Sequence, residues 1–285
     1  MTKSKVILSI LLITLVIAAT LILLKREREE NSTSKTTVKL SSGYLNRVEI
    51  IVLVDNNPNP QRPDLKTVWG ISMLVKAGNI TILFDAGPSP KILKHNCEAL
   101  GVNLSELTFI VLSHEHGDHI GGLPYIAEVK PGLKVYVPSK MSDYAKNWIK
   151  SLNLTLIEVE SSTVVTKGIV IIGQLYGPPW EQALALNTTR GLVVLVGCSH
   201  PGVENIVSKA VKELETKPYL VIGGFHMVSR SREDCEKTVK ELLKLGISLI
   251  APIHCSGDTI RKILDEQYSE HYLKACVGTK VEIND

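Results

Sequence analysis

The chain predicts an α/β fold in which sheets pack against each other and helices lie outside them. Short apolar runs rich in β-branched residues come early and densely, from Val48–Val54 onward. Helical patterns interleave with strands in the second half, without a strand–helix–strand series throughout. At 285 residues the chain can also bury a sizeable core as one large domain. Pattern alone leaves a singly wound parallel sheet open as the alternative.

The first element stands apart from that domain. Val6 to Leu24 carries no charge over 19 residues, which as a helix spans roughly 28 Å, about the hydrocarbon thickness of a bilayer. It predicts one N-terminal transmembrane helix over 6–24, after a short tail over 1–5, and hence a single-pass membrane localisation with the membrane as a partner. The run continues past Ala18 and Ala19, which argues against a cleaved signal peptide. Lysines and arginines flank it almost equally, so the side of the globular part stays open. A polar linker is expected over 25–44 and the domain over 45–285.

Val48–Val54 reads as a strand stopped by Asp55-Asn56-Asn57-Pro58. Ile71–Val75 and Ile80–Phe84 flank Gly78-Asn79 as a hairpin, and Pro90–Leu100 reads as a helix. Thr108–Leu112, Leu133–Val137, Thr155–Val159, Ile169–Ile172 and Leu192–Val196 are short strands. Gly177-Pro178-Pro179-Trp180 is a rigid turn. Val203, Ile206, Val207, Ala210, Val211 and Leu214 share one helical face. Strand Tyr219–Ile222, helix Glu233–Leu245, strand Ser248–Ala251 and helix Asp258–Leu264 follow.

Composition removes several classes. A net charge of +3 with aromatics at 5% offers no basic, aromatic-laced stripe, so no nucleic-acid partner is expected. Five cysteines without a CxxC pair exclude a disulfide framework and a zinc ribbon.

Histidines carry the chemistry. Ser113-His114-Glu115-His116-Gly117-Asp118-His119 follows a buried strand and places three imidazoles and the Asp118 carboxylate within six positions. His114 and His116 point the same way where the chain is extended. Asp118 and His119, beyond Gly117, aim at a second point about 3 to 4 Å away, the spacing of a two-metal site. This is not the helical H-E-x-x-H arrangement. Three more strands end in a histidine near glycines: Gly197-Cys198-Ser199-His200, Gly223-Gly224-Phe225-His226 and Pro252-Ile253-His254-Cys255. His95 and His271 lack such a setting.

His114-x-His116-x-Asp118-His119 after an apolar strand, with Phe84-Asp85-Ala86-Gly87 upstream, resembles the signature of the metallo-beta-lactamase superfamily. Within it the chain is similar to the group named for dihydropterin methyl-ribofuranosylaminobenzene phosphate synthase, through segments spread over residues 48–257. The resemblance implies an αββα sandwich of two mixed sheets with outer helices and a metal pair on one edge. It implies His114, His116 and His200 on one ion, and Asp118, His119 and His254 on the other. Asp85 would accept hydrogen bonds that orient a ligand or its loop. Many superfamily hydrolases supply a bridging aspartate where this chain has Cys198, so Cys198 is either a ligand to one metal or the mark of a weak second site.

Two divalent ions, zinc first and manganese or iron as alternatives, suit these donors. They imply a hydrolase acting on a small anionic, phosphorylated or ester-type substrate, with Asp118 and His226 as catalytic candidates. His226, Arg230, Ser256 and Gly257 are the substrate-binding candidates, the last two through free N–H groups at a helix start. A pterin-type synthase, joining a pterin pyrophosphate to a ribofuranosylaminobenzene phosphate, and a non-catalytic metal sensor or adaptor are the competing readings.

Overall fold

The computed structural model describes residues 39–284. Strands β1 (Arg47–Val54), β2 (Ser72–Ala77), β3 (Ile80–Phe84), β4 (Phe109–Val111), β5 (Lys134–Pro138) and β6 (Thr155–Val159) build one sheet. The other contains β7 (Thr163–Thr166), β8 (Ile169–Tyr176), β9 (Trp180–Thr188), β10 (Gly191–Val196), β11 (Pro218–Gly224) and β12 (Leu249–Ile253). A last strand, β13 (Lys280–Asn284), returns to the first sheet beside β1. The orders are β13-β1-β2-β3-β4-β5-β6 and β12-β11-β10-β9-β8-β7. Both sheets are mixed: β3 through β6 run parallel, as do β10 through β12, and the remaining pairs are antiparallel.

Side-chain alternation explains the layering. Val193 and Leu195 of β10 join Ile50, Val52, Met73, Phe84, Leu184 and Ile222 between the sheets. Leu192, Val194 and Val196 point the other way, onto Val203, Ile206, Val207, Ala210 and Leu214 of the helix that follows β10. Helices α1 (Pro90–Leu100), α2 (Gly117–Ile120), α3 (Leu123–Val129) and α4 (Asp143–Ser151) occur in the half that builds the first sheet. Helices α5 (Val203–Leu214), α6 (Arg232–Lys244) and α7 (Gly257–Gln267) cover the outside of the second. The first sheet's outer face packs Leu74, Leu83 and Ile110 against Leu93, Ile126 and Ile149 of α1, α3 and α4. The two-sheet sandwich with outer helices is the architecture that the resemblance implied.

Three strands escaped the sequence reading: β7, β9 and β13. In β9, Glu181, Gln182, Ala183, Leu184, Ala185 and Leu186 are good helix formers, yet the segment is clamped between β8 and β10 on both edges. Tertiary pairing overrides local propensity there. The strand β13 is short, and two of its five residues are charged.

The membrane reading is corrected. A span needs about 20 apolar helical residues. Among the described residues no helix is long and apolar enough to cross a membrane; α6, the longest of them, has 13 residues and spans about 20 Å. The predicted transmembrane run over 6–24 lies outside the described residues. The single-pass anchor, the membrane partner and the membrane localisation are therefore withdrawn. Residues 40–43, within the expected linker, hydrogen-bond to the domain: Leu40 N–H donates to Glu213 O at 2.8 Å, and Asn187 Nδ2 donates to Gly43 O at 2.9 Å.

Candidate metal centre

The histidine loop is pinned at its base by a buried carboxylate. Asp85 follows β3, the parallel neighbour of β4, and takes φ +54°, a conformation uncommon outside glycine. Its Oδ1 accepts the Ser113 N–H and its Oδ2 the Ser113 hydroxyl, both at 2.7 Å. Oδ2 also lies 2.7 Å from His119 Nδ1. His116 is extended at the N-cap of α2, so Asp118 and His119 occupy that helix's only turn. Its far end presses on the loop after β3: Ala86 N–H donates to His119 O at 2.6 Å. A Cβ on Gly122 would sit 2.0 Å from the Ala86 carbonyl oxygen. Gly122→Ala should therefore cost about 1–3 kcal/mol by overpacking, read as a lowered midpoint in urea unfolding; an unchanged midpoint would show that the contact yields freely.

The distant donors come from the ends of the parallel strands of the second sheet. After β10, Ser199 takes φ +61° and turns the chain so that the Ser199 and His200 N–H groups both donate to Glu181 of β9, at 2.8 Å each. Burial pushes the Glu181 carboxyl up to about 7 against those two hydrogen bonds. After β12, His254 takes φ +51°, and its N–H donates to Asp55 Oδ1 at 2.8 Å. His226, after β11, takes φ +54°, with its N–H on Cys255 Sγ at 3.3 Å. Four non-glycine residues in this region at one end of the sheets mark a locally strained site, at about 1–3 kcal/mol each.

Two donor sets converge there. His114, His116 and His200 offer nitrogens within 4.8 Å of one another, as do the ligand atoms of Asp118, His119 and His254. His114 Nε2 lies 3.1 Å from His116 Nδ1, near the roughly 3.4 Å between two nitrogens on one tetrahedral zinc. Asp118 Oδ2 lies 3.3 Å from His254 Nε2. Cys198 Sγ sits 3.2 Å from His119 Nε2 and 3.5 Å from His254 Nε2.

Burial, then the neighbouring imidazoles, hold His114 well below the usual histidine range and His200 at about 4. His116 is lowered too, chiefly by burial. Burial opposes the charge on Asp118, but the hydrogen bond to His254 and the charge of His119 outweigh it, leaving a value of about 2. Burial likewise opposes charge on His119, yet Asp85 holds it above the usual range. Lowered values favour neutral imidazoles in the first set, and Asp118 in the second is ionised, both as metal binding requires, whereas His119 must give up a proton when an ion binds. His200 Nε2 is buried without a hydrogen-bond partner. These residues fit a pair of metal ions.

The His226 ring lies 4.4 Å from that of His200, tilted by 47°, and lines a cavity of about 230 Å³ together with Arg230, Glu204 and Lys237. Ser256 and Gly257 are not brought to that cavity. The buried Ser256 hydroxyl accepts the Phe225 N–H at 3.0 Å and contacts Ile253 O at 2.6 Å. A Cβ on Gly257 would sit 2.6 Å from Val228 Cα. His95 and His271 bond to the backbone carbonyls of Asp64 and Ser248, away from the centre. Glu181, Asp55 and Trp69, whose ring lies 5.0 Å from that of His254, were not anticipated. A lone acid inside the apolar run of β9 was the one available signal for Glu181.

Residues 70–207 match the family model of the metallo-beta-lactamase superfamily. The chain is 25% identical to the 7,8-dihydropterin-6-methyl-4-(beta-D-ribofuranosyl)-aminobenzene-5'-phosphate synthase of Methanocaldococcus jannaschii, over 84% of this chain and 98% of that protein. It superposes on Tm1679, a metal-dependent hydrolase of the beta-lactamase superfamily, with a TM-score of 0.71 and 26% identity, covering 84% of this chain and 100% of the other. A diphosphatase of the PhnP family superposes at 0.58 with 14% identity, over 84% and 98% of the two chains, a likeness of fold alone.

Proposed function

We propose that this chain, which has the fold of the metallo-beta-lactamase superfamily, is a metal-dependent hydrolase acting on a small anionic substrate. The observation that carries the reading is the pair of donor sets beside a cavity whose lining places Arg230 and Lys237 among Glu204, Asp234 and Glu241. His114, His116 and His200 would hold one ion and Asp118, His119 and His254 the other, zinc being the ion that suits nitrogen-rich sets best. When bound, such a pair supplies Lewis acidity and lowers the pKa of a water.

The protein's own groups supply the rest. Asp85 fixes the His119 ring through Nδ1, leaving Nε2 aimed at the centre. Asp118, ionised, accepts a proton from an incoming water or hydroxyl. The contact with Cys255, against burial, lifts the His226 imidazole above its usual range, so it keeps an N–H to donate to a leaving group near neutral pH. Arg230 pairs with the anionic part of the substrate.

A second reading, condensation of a pterin pyrophosphate with a ribofuranosylaminobenzene phosphate, draws support from the full-length likeness to the archaeal synthase. A panel of phosphodiesters, a phosphomonoester, a lactone, a thioester and the pterin pyrophosphate pair, run with metal-loaded protein, separates the two. Multiple turnover on an ester or phosphoester supports hydrolysis, turnover on the pterin pair alone supports condensation, and a loaded protein inert throughout favours a sensor. On the responsive substrate His226→Ala should lower turnover about a hundredfold with metal content unchanged; full activity would return that histidine to a structural role.

A further inference from the structure

The position of Cys198 relative to both donor sets defines a ligand that neither set contains. Its Sγ lies 3.2 Å from His119 Nε2 and 3.5 Å from His254 Nε2, which belong to the second set. The same sulfur lies within 4.8 Å of the ligand nitrogens of His114 and His200, which belong to the first. A tetrahedral zinc with sulfur at about 2.3 Å and nitrogen at about 2.1 Å holds the two atoms roughly 3.6 Å apart. Cys198 therefore stands at ligand spacing from the second set and within reach of the first. It is 4% exposed, so water does not compete for it.

Its neighbour Cys255 is placed differently. That thiol accepts the His226 N–H at 3.3 Å and approaches the Cys198 carbonyl oxygen at 3.7 Å, and it shares a donor group only with Cys198 and His254. Two buried cysteines thus sit at one centre, one between the donor sets and one behind them.

We propose that Cys198 is the bridging ligand of the metal pair, a thiolate shared by both ions, and that it makes the centre select zinc or cobalt over manganese. The proposal rests on the metal-centre reading above. As the ions bind, the thiol proton leaves to solvent and two sulfur–metal bonds form, with no change of oxidation state. A thiolate is a soft donor, whereas the carboxylate found there in many related hydrolases is hard and suits manganese well. The substitution would accordingly change which ion fills the site while leaving the surrounding histidines as they are.

The test is cobalt titration of the chelator-treated full chain under anaerobic conditions, followed by the thiolate-to-cobalt charge-transfer band in the near ultraviolet. A bridging thiolate predicts a band that keeps growing through the second equivalent of cobalt. It should be lost in Cys198→Ser and retained in Cys255→Ser. Cys198→Asp should still bind two ions, without the band, and with the ratio of zinc to manganese affinity lowered by about tenfold or more. A band that saturates at one equivalent makes Cys198 a terminal ligand and overturns the bridge. A band that survives Cys198→Ser, or no band with two ions bound, overturns the thiolate altogether. All three of these outcomes leave the hydrolase reading intact, which turnover tests separately. Failure to take up any cobalt overturns the bridge and the metal centre together.

Discussion

His116→Ala should reduce turnover by about three orders of magnitude and release metal while leaving the fold intact. His116 is an exposed member of a set whose other two nitrogens come from the buried His114 and the partly buried His200. Truncating it removes one of three donors and almost no packing, because the ring contacts only the neighbouring imidazoles of His114 and His200 among the aromatic groups. Surface truncations of this kind change stability little. Metal analysis should show fewer ions per chain than in the unaltered protein, and thermal unfolding of the chelator-treated forms should coincide. Full activity in the variant would remove the first donor set from the catalytic model.

Asp85→Ala should have the largest effect on stability, a loss of about 3–5 kcal/mol in the metal-free protein. Asp85 is wholly buried and serves three groups at once: the Ser113 N–H, the Ser113 hydroxyl and His119 Nδ1. Alanine leaves the Ser113 N–H unpaired in a dry site and strips His119 of the carboxylate that favours its charged form. Asp85→Asn should fall between the two, since an amide oxygen can still accept the Ser113 N–H. Urea unfolding of both variants measures the order. A loss below about 1 kcal/mol for alanine would mean that the loop is held from elsewhere.

Much of the centre was legible in the sequence because its donors lie at strand ends, where an apolar run stops and a histidine follows within a few residues. His114, His200 and His254 all announce themselves that way. The groups that hold those donors were not legible. Asp55 meets the backbone of His254 across 199 positions, and Glu181 reaches Ser199 and His200 from a strand whose residues favour a helix. Such partners are chosen by which strands lie side by side, and local pattern does not carry that information. Ser256 misled for a related reason: a helix start looks open in sequence, but the neighbouring turn of His226 closes over this one. The transmembrane run was a statement about residues 6–24 alone, and nothing in the described domain extends it.

The pairing of β1 with β13 has a consequence for how the molecule assembles. β1 acquires its first partner from residues 72–77, nearby in sequence, but its other edge is filled only by residues 280–284. Between those two events the whole second sheet must be synthesised, so this contact has a very high sequence separation and forms slowly. Throughout that interval β1 presents a row of unsatisfied N–H and C=O groups alongside Val48, Ile50 and Val52, a template on which a strand from another molecule can dock. Arg47 and Glu49 are the charged residues of that strand, and Glu49 is later tied to Lys280 at 2.7 Å. During synthesis its charge, met only at 3.9 Å by Lys76 of β2, discourages the wrong partner, and in the finished domain the same carboxylate fastens the right one.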